Sequence, residues 1–335
     1  MLSRLDRLAY RSQHLSFLIN ATVMQEAARL FSRTPRPEVA SGELRALMRR
    51  HKALHAHDLA NVDAGLYPRE LLFDIPVRRY VRALPRLMRD TPNVVRRMKR
   101  GDYKDIPAVD KSRFPAYYRR NFHWQTDGYF SEYSAEVYEL GVELLFRGTA
   151  DVMRRQIIPP ITRFLRTEKA TRLLDVACGT GRTLHQLART HPTLDLWGVD
   201  LSPAYVKVAK RRARDATIAV ENAEQMPFAD GAFDIVTSVY LFHELPRNAR
   251  RNVVREMQRV LRPGGLLVIE DSAQISESAE IATALREFPR EFHEPFYADY
   301  LGDDLAAMLA EVGFAVRTTT SHLVAKVVVA NKILT

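Results

Sequence analysis

The stretch Leu173-Leu174-Asp175-Val176-Ala177-Cys178-Gly179-Thr180-Gly181-Arg182 constrains the fold more than any other. The stretch over 172–176, carrying Leu173, Leu174 and Val176, reads as a buried parallel strand. Two glycines follow at a spacing of two, and Thr183-Leu184-His185-Gln186-Leu187-Ala188 resumes at helical spacing. Strand, glycine turn and helix make the opening unit of a doubly wound α/β sheet. Glycine at such a turn admits a ligand close to the backbone, with no Cβ in the way. The helix start offers unpaired N–H groups to a carboxylate or a phosphate.

From Thr171 onward strands and helices alternate. Strands are expected at 172–176, 195–199, 216–220, 233–239 and 266–270, with helices at 183–190, 203–214, 248–261 and 305–311 between and after them. Residues 314–321 and 324–330 are β-rich and close enough to pair as an antiparallel edge hairpin. The fold class is therefore α/β, a doubly wound and mostly parallel sheet with an antiparallel edge.

The first half reads differently. Residues 1–32 repeat Leu and Ile at three- and four-residue steps and read as a helix that Thr34-Pro35-Arg36-Pro37 stops. The cluster Arg4, Arg7, Arg11 before Leu15-Ser16-Phe17-Leu18-Ile19 imitates a signal peptide. The short apolar run, broken at Asn20, reads instead as part of an ordinary helix. A second helix is expected over 42–58. Its His51, His55 and His57 lack a convincing third metal ligand and read as a solvated basic face. Pro76, Pro85 and Pro92 are expected to punctuate short basic helices. Helices split near Arg147-Gly148-Thr149 follow, with Thr149 or Asp151 as a cap. The organisation expected is a helical N-terminal region, 1–150, that caps a domain over 151–335.

Charge follows the same division. Residues 1–165 hold 29 Lys and Arg against 18 Asp and Glu, whereas residues 166–335 hold 21 against 22. The basic excess is thus confined to the first half, where it suits a solvated face, an anionic substrate, an acidic membrane surface or nucleic acid. Cys178 is the only cysteine, which excludes an intramolecular disulfide and a Cys-based zinc site and fits a reducing, cytoplasmic setting.

In doubly wound sheets, ligands bind at the carboxyl ends of the strands. Asp200 ends the second strand, where a carboxylate can accept both hydroxyls of a ribose. Asn222-Ala223-Glu224 ends the third, where a backbone N–H and a polar side chain can meet an adenine edge. The Gly179/Gly181 turn would lie against the charged tail of the same ligand. A dinucleotide site would want a third glycine where Leu184 stands, and no G-x-x-x-x-G-K-[ST] phosphate loop is present.

These segments together resemble the class I S-adenosylmethionine-dependent methyltransferases over residues 150–335. Leu173 to Gly181 resembles the family's first motif, written D-x-[GA]-C-G-T-G. Asp200 and Leu201, in Gly198-Val199-Asp200-Leu201-Ser202, resemble its ribose-binding segment, and Asn222-Ala223-Glu224-Gln225-Met226-Pro227-Phe228 its adenine-binding one. Phe233-Asp234-Ile235-Val236 and Arg259-Val260-Leu261-Arg262-Pro263-Gly264-Gly265 match later motifs. The combination is most similar to the branch that includes quinone, sterol and other small-molecule enzymes. It implies a Rossmann-like domain that binds S-adenosylmethionine and releases S-adenosylhomocysteine, with Asp175, Ala177, Gly179 and Gly181 along the methionine part. No metal is expected.

Methyl transfer to an OH, a phenol or an acidic carbon needs a base and a site screened from water. His243 in Tyr240-Leu241-Phe242-His243-Glu244 is the candidate, with Glu244 to orient it or act itself; His123 and His293 are further ones. Tyr240 is expected at the cofactor, and so is one of Tyr129 and Tyr133. Aromatic residues between Phe114 and Tyr138, and between Phe288 and Tyr300, form either core or the walls of a pocket for an apolar or aromatic ligand. The expected acceptor is a small apolar or aromatic molecule, anionic or lipid-like. Two other readings differ in kind. One is an RNA or DNA methyltransferase, against which Ser238-Val239-Tyr240-Leu241 lacks the Asn/Asp-Pro-Pro-aromatic pattern of base amino-methylating enzymes. The other is a non-catalytic interaction module. Peripheral membrane contact through residues 1–32 or 76–100 is a narrower alternative.

Overall fold

The computed structural model describes residues 1–32, 39–110 and 112–334; the predicted stop at Thr34-Pro35-Arg36-Pro37 lies outside them. Three long helices come first: α1 (Arg4–Ser32), α2 (Ser41–Asp63) and α3 (Val77–Arg100). Next come α4 (Glu132–Leu145), α5 (Ala150–Arg154) and α6 (Ile158–Thr167), which lead into β1 (Arg172–Val176). The alternating part continues with α7 (Arg182–Thr190), β2 (Asp195–Asp200), α8 (Pro203–Arg212), β3 (Ala216–Val220), β4 (Phe233–Val239), α9 (Arg247–Val260) and β5 (Leu261–Ser272). It closes with α10 (Ala282–Phe292), α11 (Tyr297–Leu301), α12 (Leu305–Glu311), β6 (Phe314–His322) and β7 (Ala325–Lys332).

The seven strands lie in the order β3-β2-β1-β4-β5-β7-β6. The first five are parallel, β7 runs antiparallel to β5, and β6 antiparallel to β7. Both faces of β1 are covered, which is why apolar residues occur on each. Leu174 packs with Val176, Val236, Val254 and Met257 on one side, and Leu173 with Leu184, Ile235, Val268 and Ile157 on the other. The strand order reverses at β1, between β2 and β4, so the crevice at the carboxyl ends opens above the glycine turn.

Several expectations are corrected. Pro85 and Pro92 do not divide the basic stretch: both lie inside α3. The two prolines are exposed, while Ala83, Asp90 and Arg97, also seven residues apart, are buried. Arg97 Nη2 donates to the Trp124 carbonyl at 3.0 Å and Thr126 Oγ1 donates to Asp90 at 2.7 Å. These anchors hold the helix through the two backbone bonds that proline removes. The cap at Ala150 is not Thr149, whose hydroxyl donates back to the Phe146 carbonyl. Glu143 accepts the free N–H groups of Ala150 and Asp151 at 3.3 and 2.8 Å. Nor are His51 and His55 on a solvated face. His55 meets Tyr10 Oη at 2.9 Å and packs its ring obliquely against those of His14 and His51, and burial drives its pKa down to about 3, so the ring is neutral. β5 begins at Leu261, ahead of the predicted turn, because Leu261 pairs with Phe233 across an irregular register.

Candidate functional site

The residues that directly follow the two central strands, Ala177 after β1 and Tyr240 after β4, both take left-handed backbone, with φ of 59° and 58°. Side chains other than glycine rarely adopt it, and it persists where surroundings enforce it. Gly179 and Gly181 share that conformation, with φ of 55° and 77°. A Cβ on Gly179 would meet nothing within 4 Å, so its open side faces the crevice; a Cβ on Gly181 would lie 3.0 Å from Ala209 Cβ on α8. The turn is therefore bare on the crevice side and tightly seated on the other.

Asp200 at the end of β2 ties the turn together. One carboxylate oxygen accepts the Gly179 N–H at 2.9 Å and the other the Ser202 N–H at 2.8 Å. Each oxygen retains a lone pair. Burial pushes the Asp200 pKa up to about 6 against these two donors. Asp175 lies beneath the turn, 1% exposed, where it accepts from Thr237 Oγ1 at 2.8 Å; burial pushes its pKa up to about 7.

Ala177, Gly179, Asp200 and Tyr240 line one open cleft at the carboxyl ends of the strands. Of the residues singled out in the sequence, Ala177, Gly179, Asp200, Leu201, Asn222, Ala223, Tyr129, Tyr240 and Glu244 line it. Gly181, Asp175 and Glu224 stand behind the wall. Glu224 is occupied by Tyr117 Oη at 2.7 Å and Asn252 Nδ2 at 2.9 Å, while its neighbour Glu221 faces the cleft. Tyr133 turns away and donates to the Arg86 carbonyl of α3 at 3.0 Å. Six tyrosines (Tyr117, Tyr118, Tyr129, Tyr138, Tyr205 and Tyr240) stand around the cleft. Burial raises the pKa of each, so all six are neutral near pH 7. Arg154, from α5, adds a buried positive charge to the same wall.

Behind Glu244 lies a chain of ionisable groups. Its Oε1 accepts from Tyr129 Oη at 2.5 Å and meets His123 Nε2 at 3.1 Å. The other His123 nitrogen faces Glu294 Oε1 at 2.9 Å. Glu294 Oε1 is also 4.0 Å from His243 Nε2, and His243 Nδ1 is 2.7 Å from Asp271 Oδ1. The Phe242 N–H fixes Asp271 at 2.6 Å. Burial opposes charge on His123, yet Glu294 and Glu244 outweigh it and push its pKa up to about 10. Burial likewise opposes charge on His243, but Asp271, with Glu294 and Glu244, pushes its pKa up to about 9. Both rings are imidazolium at neutral pH. The donor atoms of His123, Glu244 and Glu294 fall within 4.8 Å of one another. His123 turns one nitrogen to each carboxylate, so the ring itself supplies the positive charge between them. His123 and Trp124 have φ of 54° and 55°, a strained corner beside this chain. His293 stands apart: it stacks on Trp124 at 4.6 Å and Tyr103 at 5.3 Å, and burial, with Arg120 and His123, lowers its pKa.

Glu294, Asp271, Arg154, Glu221 and four of the tyrosines were not singled out as site residues from sequence. Asp271 had a signal, since it sits at the carboxyl end of β5 as Asp200 does at the end of β2. Glu294, next to His293 in the aromatic segment, had none.

A family described as "Methyltransferase domain" matches residues 173–265. A demethylmenaquinone methyltransferase of Thermotoga maritima is 35% identical over 135 residues, 40% of this chain and 56% of that protein. The chain thus spans little more than half of that relative's length. The O-methyltransferase rstn1 of Aspergillus nomiae is 31% identical over 177 residues, 50% of this chain and 75% of that protein. A solved structure described as a SAM-dependent methyltransferase, from Methanosarcina mazei, is 21% identical with a TM-score of 0.43, covering 53% of this chain and 98% of that one.

Proposed function

The chain belongs to the class I S-adenosylmethionine-dependent methyltransferases, and from that premise we propose that it methylates a small apolar or aromatic acceptor at carbon or oxygen. One arrangement carries the reading: the bare face of Gly179, the Asp200 carboxylate, Asn222 and the tyrosine wall all meet at one cleft. Asp200 is assigned to the ribose hydroxyls through its remaining lone pairs, with Leu201 beside it. Asn222 and Ala223 are assigned to the adenine edge, with Glu224 bracing them from behind. The Ala177, Gly179 and Gly181 backbone, over Asp175, is assigned to the methionine part, and Arg154 to its carboxylate. S-adenosylmethionine, when bound, supplies an activated methyl group on a sulfonium. Tyr129 and Tyr240 would attract that cation through their ring faces.

The acceptor would lie against Leu241, Leu245 and the tyrosines. For an acceptor that must lose a proton, Glu244 is the base: it reaches the cleft wall, where His243 does not line it. His123 and His243 are positioning residues in this reading. Imidazolium His123 and Tyr129 fix the Glu244 carboxylate, while Asp271 and His243 hold Glu294 behind it. Residues 1–150 act as the cap over the domain at 151–335, and screen the site from water.

Titration calorimetry with S-adenosylmethionine and S-adenosylhomocysteine tests the donor, and a radiolabelled-methyl assay over phenols, hydroquinones and prenylated analogues tests the acceptor. Micromolar donor binding with turnover on an aromatic hydroxyl or ring carbon is expected. Absence of donor binding would refute the reading.

A further inference from the structure

The outer face of α1 is apolar where a surface helix is ordinarily polar. Leu5, Leu8, Leu15, Ile19, Val23 and Leu30 are 54–81% exposed. They recur at steps of three, four and seven, so they share one side of a helix about 43 Å long. The opposite side carries Tyr10, His14 and Phe17, which pack into the protein against α2 and α3. Arg4 and Arg11 are exposed on α1, whereas its acids are Asp6, half-buried, and Glu26, which is paired with Arg29 at 3.7 Å.

Beside it lies α3, in contact through Phe17 and Tyr80 with ring centroids 6.5 Å apart. Both helices rest on the α4 segment, α1 through Gln25 and the Leu144 carbonyl, α3 through the Arg86 carbonyl and Tyr133. The exposed positions of α3 include Arg78, Arg82, Arg86, Arg89, Arg96 and Arg100, interleaved with Val77, Val81 and Met88. Asp90, the one acid of α3, is buried. Among the described residues, only Arg86 of those six arginines has a carboxylate within 4 Å. Among the described residues, nine of the fifteen exposed large apolar side chains lie on α1 and α3, which places the patch on these helices rather than around the cleft.

We infer that α1 and α3 together form a docking face for an anionic lipid bilayer. The aliphatic side chains of α1 enter the boundary between headgroups and acyl chains, and the arginines of α3 meet headgroup phosphates. Nucleic acid would engage the arginines but leave the row of leucines in water. A symmetric second copy would bring the two cationic α3 helices together. No helix among the described residues is long and apolar enough to cross a membrane, so the contact is with the surface.

The test is sedimentation of the full chain with vesicles of phosphatidylcholine alone and of phosphatidylcholine with about one third phosphatidylglycerol. Partition onto the anionic vesicles should be at least about tenfold stronger and should fall as salt rises from about 0.1 to 1 M. The double variant Leu15→Asp, Ile19→Asp should lose binding to both vesicles. Arg82→Glu with Arg89→Glu should lose only the anionic excess. All four positions are exposed, and unchanged circular-dichroism melting confirms folding of each variant. The inference is overturned by no anionic excess at low salt, by sedimentation that survives the α1 variant, or by a light-scattering dimer that this variant dissociates without any vesicle binding. Sedimentation does not depend on methyl transfer, so its failure leaves the proposed reaction untouched.

Discussion

Replacing His123 with glutamine isolates the charge that joins Glu244 to Glu294. The amide keeps a donor for one carboxylate but carries no charge. In the folded protein the His123 pKa rises from 6.5 to about 10. At about 1.4 kcal/mol per unit this shift corresponds to at most about 5 kcal/mol. The side chain is 22% exposed, and we expect about 3–5 kcal/mol. The folded pKa lies above the unfolded one. The stabilisation is therefore complete below pH 6.5 and drains away as pH climbs through about 10. Thermal melts of both proteins in steps between those limits are the assay. The variant should melt roughly 4–7 °C lower at the acid end, and the gap should close toward the alkaline end. A gap that stays constant across this range would refute the argument and leave His123 a packing residue.

Three further outcomes follow from the cleft. Asp200→Asn should weaken S-adenosylmethionine binding about ten- to hundredfold by calorimetry, since it loses charge-assisted acceptors; unchanged affinity would remove Asp200 from the site. In the wild type, donor affinity should drop below pH about 6, where the raised Asp200 carboxyl takes up its proton and trades an acceptor for a donor; an affinity flat from pH 5 to 7 would contradict this. Glu244→Gln should lower kcat by about 10²–10⁴ while donor affinity moves less than about threefold. An equal loss in donor binding would make Glu244 a cofactor contact instead of a base.

The parts of the structure that were readable in sequence are those set by neighbouring residues. β1, the glycine turn and α7 declare themselves within twenty residues, through an apolar run, two glycines and a helical repeat. Asp200 and Asn222 follow because strand ends can be counted once the strands are found. What stayed hidden depends on partners far along the chain. Nothing near Pro85 announces that Trp124 and Thr126 will anchor an α3 that continues past it. Tyr129 and Tyr133 are four residues apart with the same chemistry, but Tyr129 precedes α4 while Tyr133 lies in it, and the seating of α4 on α3 turns Tyr133 away from the cleft. The chain from Glu244 to Asp271 joins residues from four separate segments, and so no local spacing records it.

The grip on the glycine turn bears on whether the family-matched region is separable. Arg182, at its start, reaches Asp151 at 2.6 Å and Asp74 at 3.0 Å, both earlier in the chain. Thr180 and Arg212 are likewise held by Glu139 of α4. The two arginines are 6% exposed, and their carboxylate partners all come from the helical half. A fragment beginning after residue 150 would strand one guanidinium, and a fragment beginning at β1 would strand both, at several kcal/mol each. Although recognisable by comparison as a unit, the sheet is thus not autonomous. Any ligand that steadies the turn also steadies α4 and α5, so cofactor occupancy should be readable as proteolytic protection in the helices that precede it.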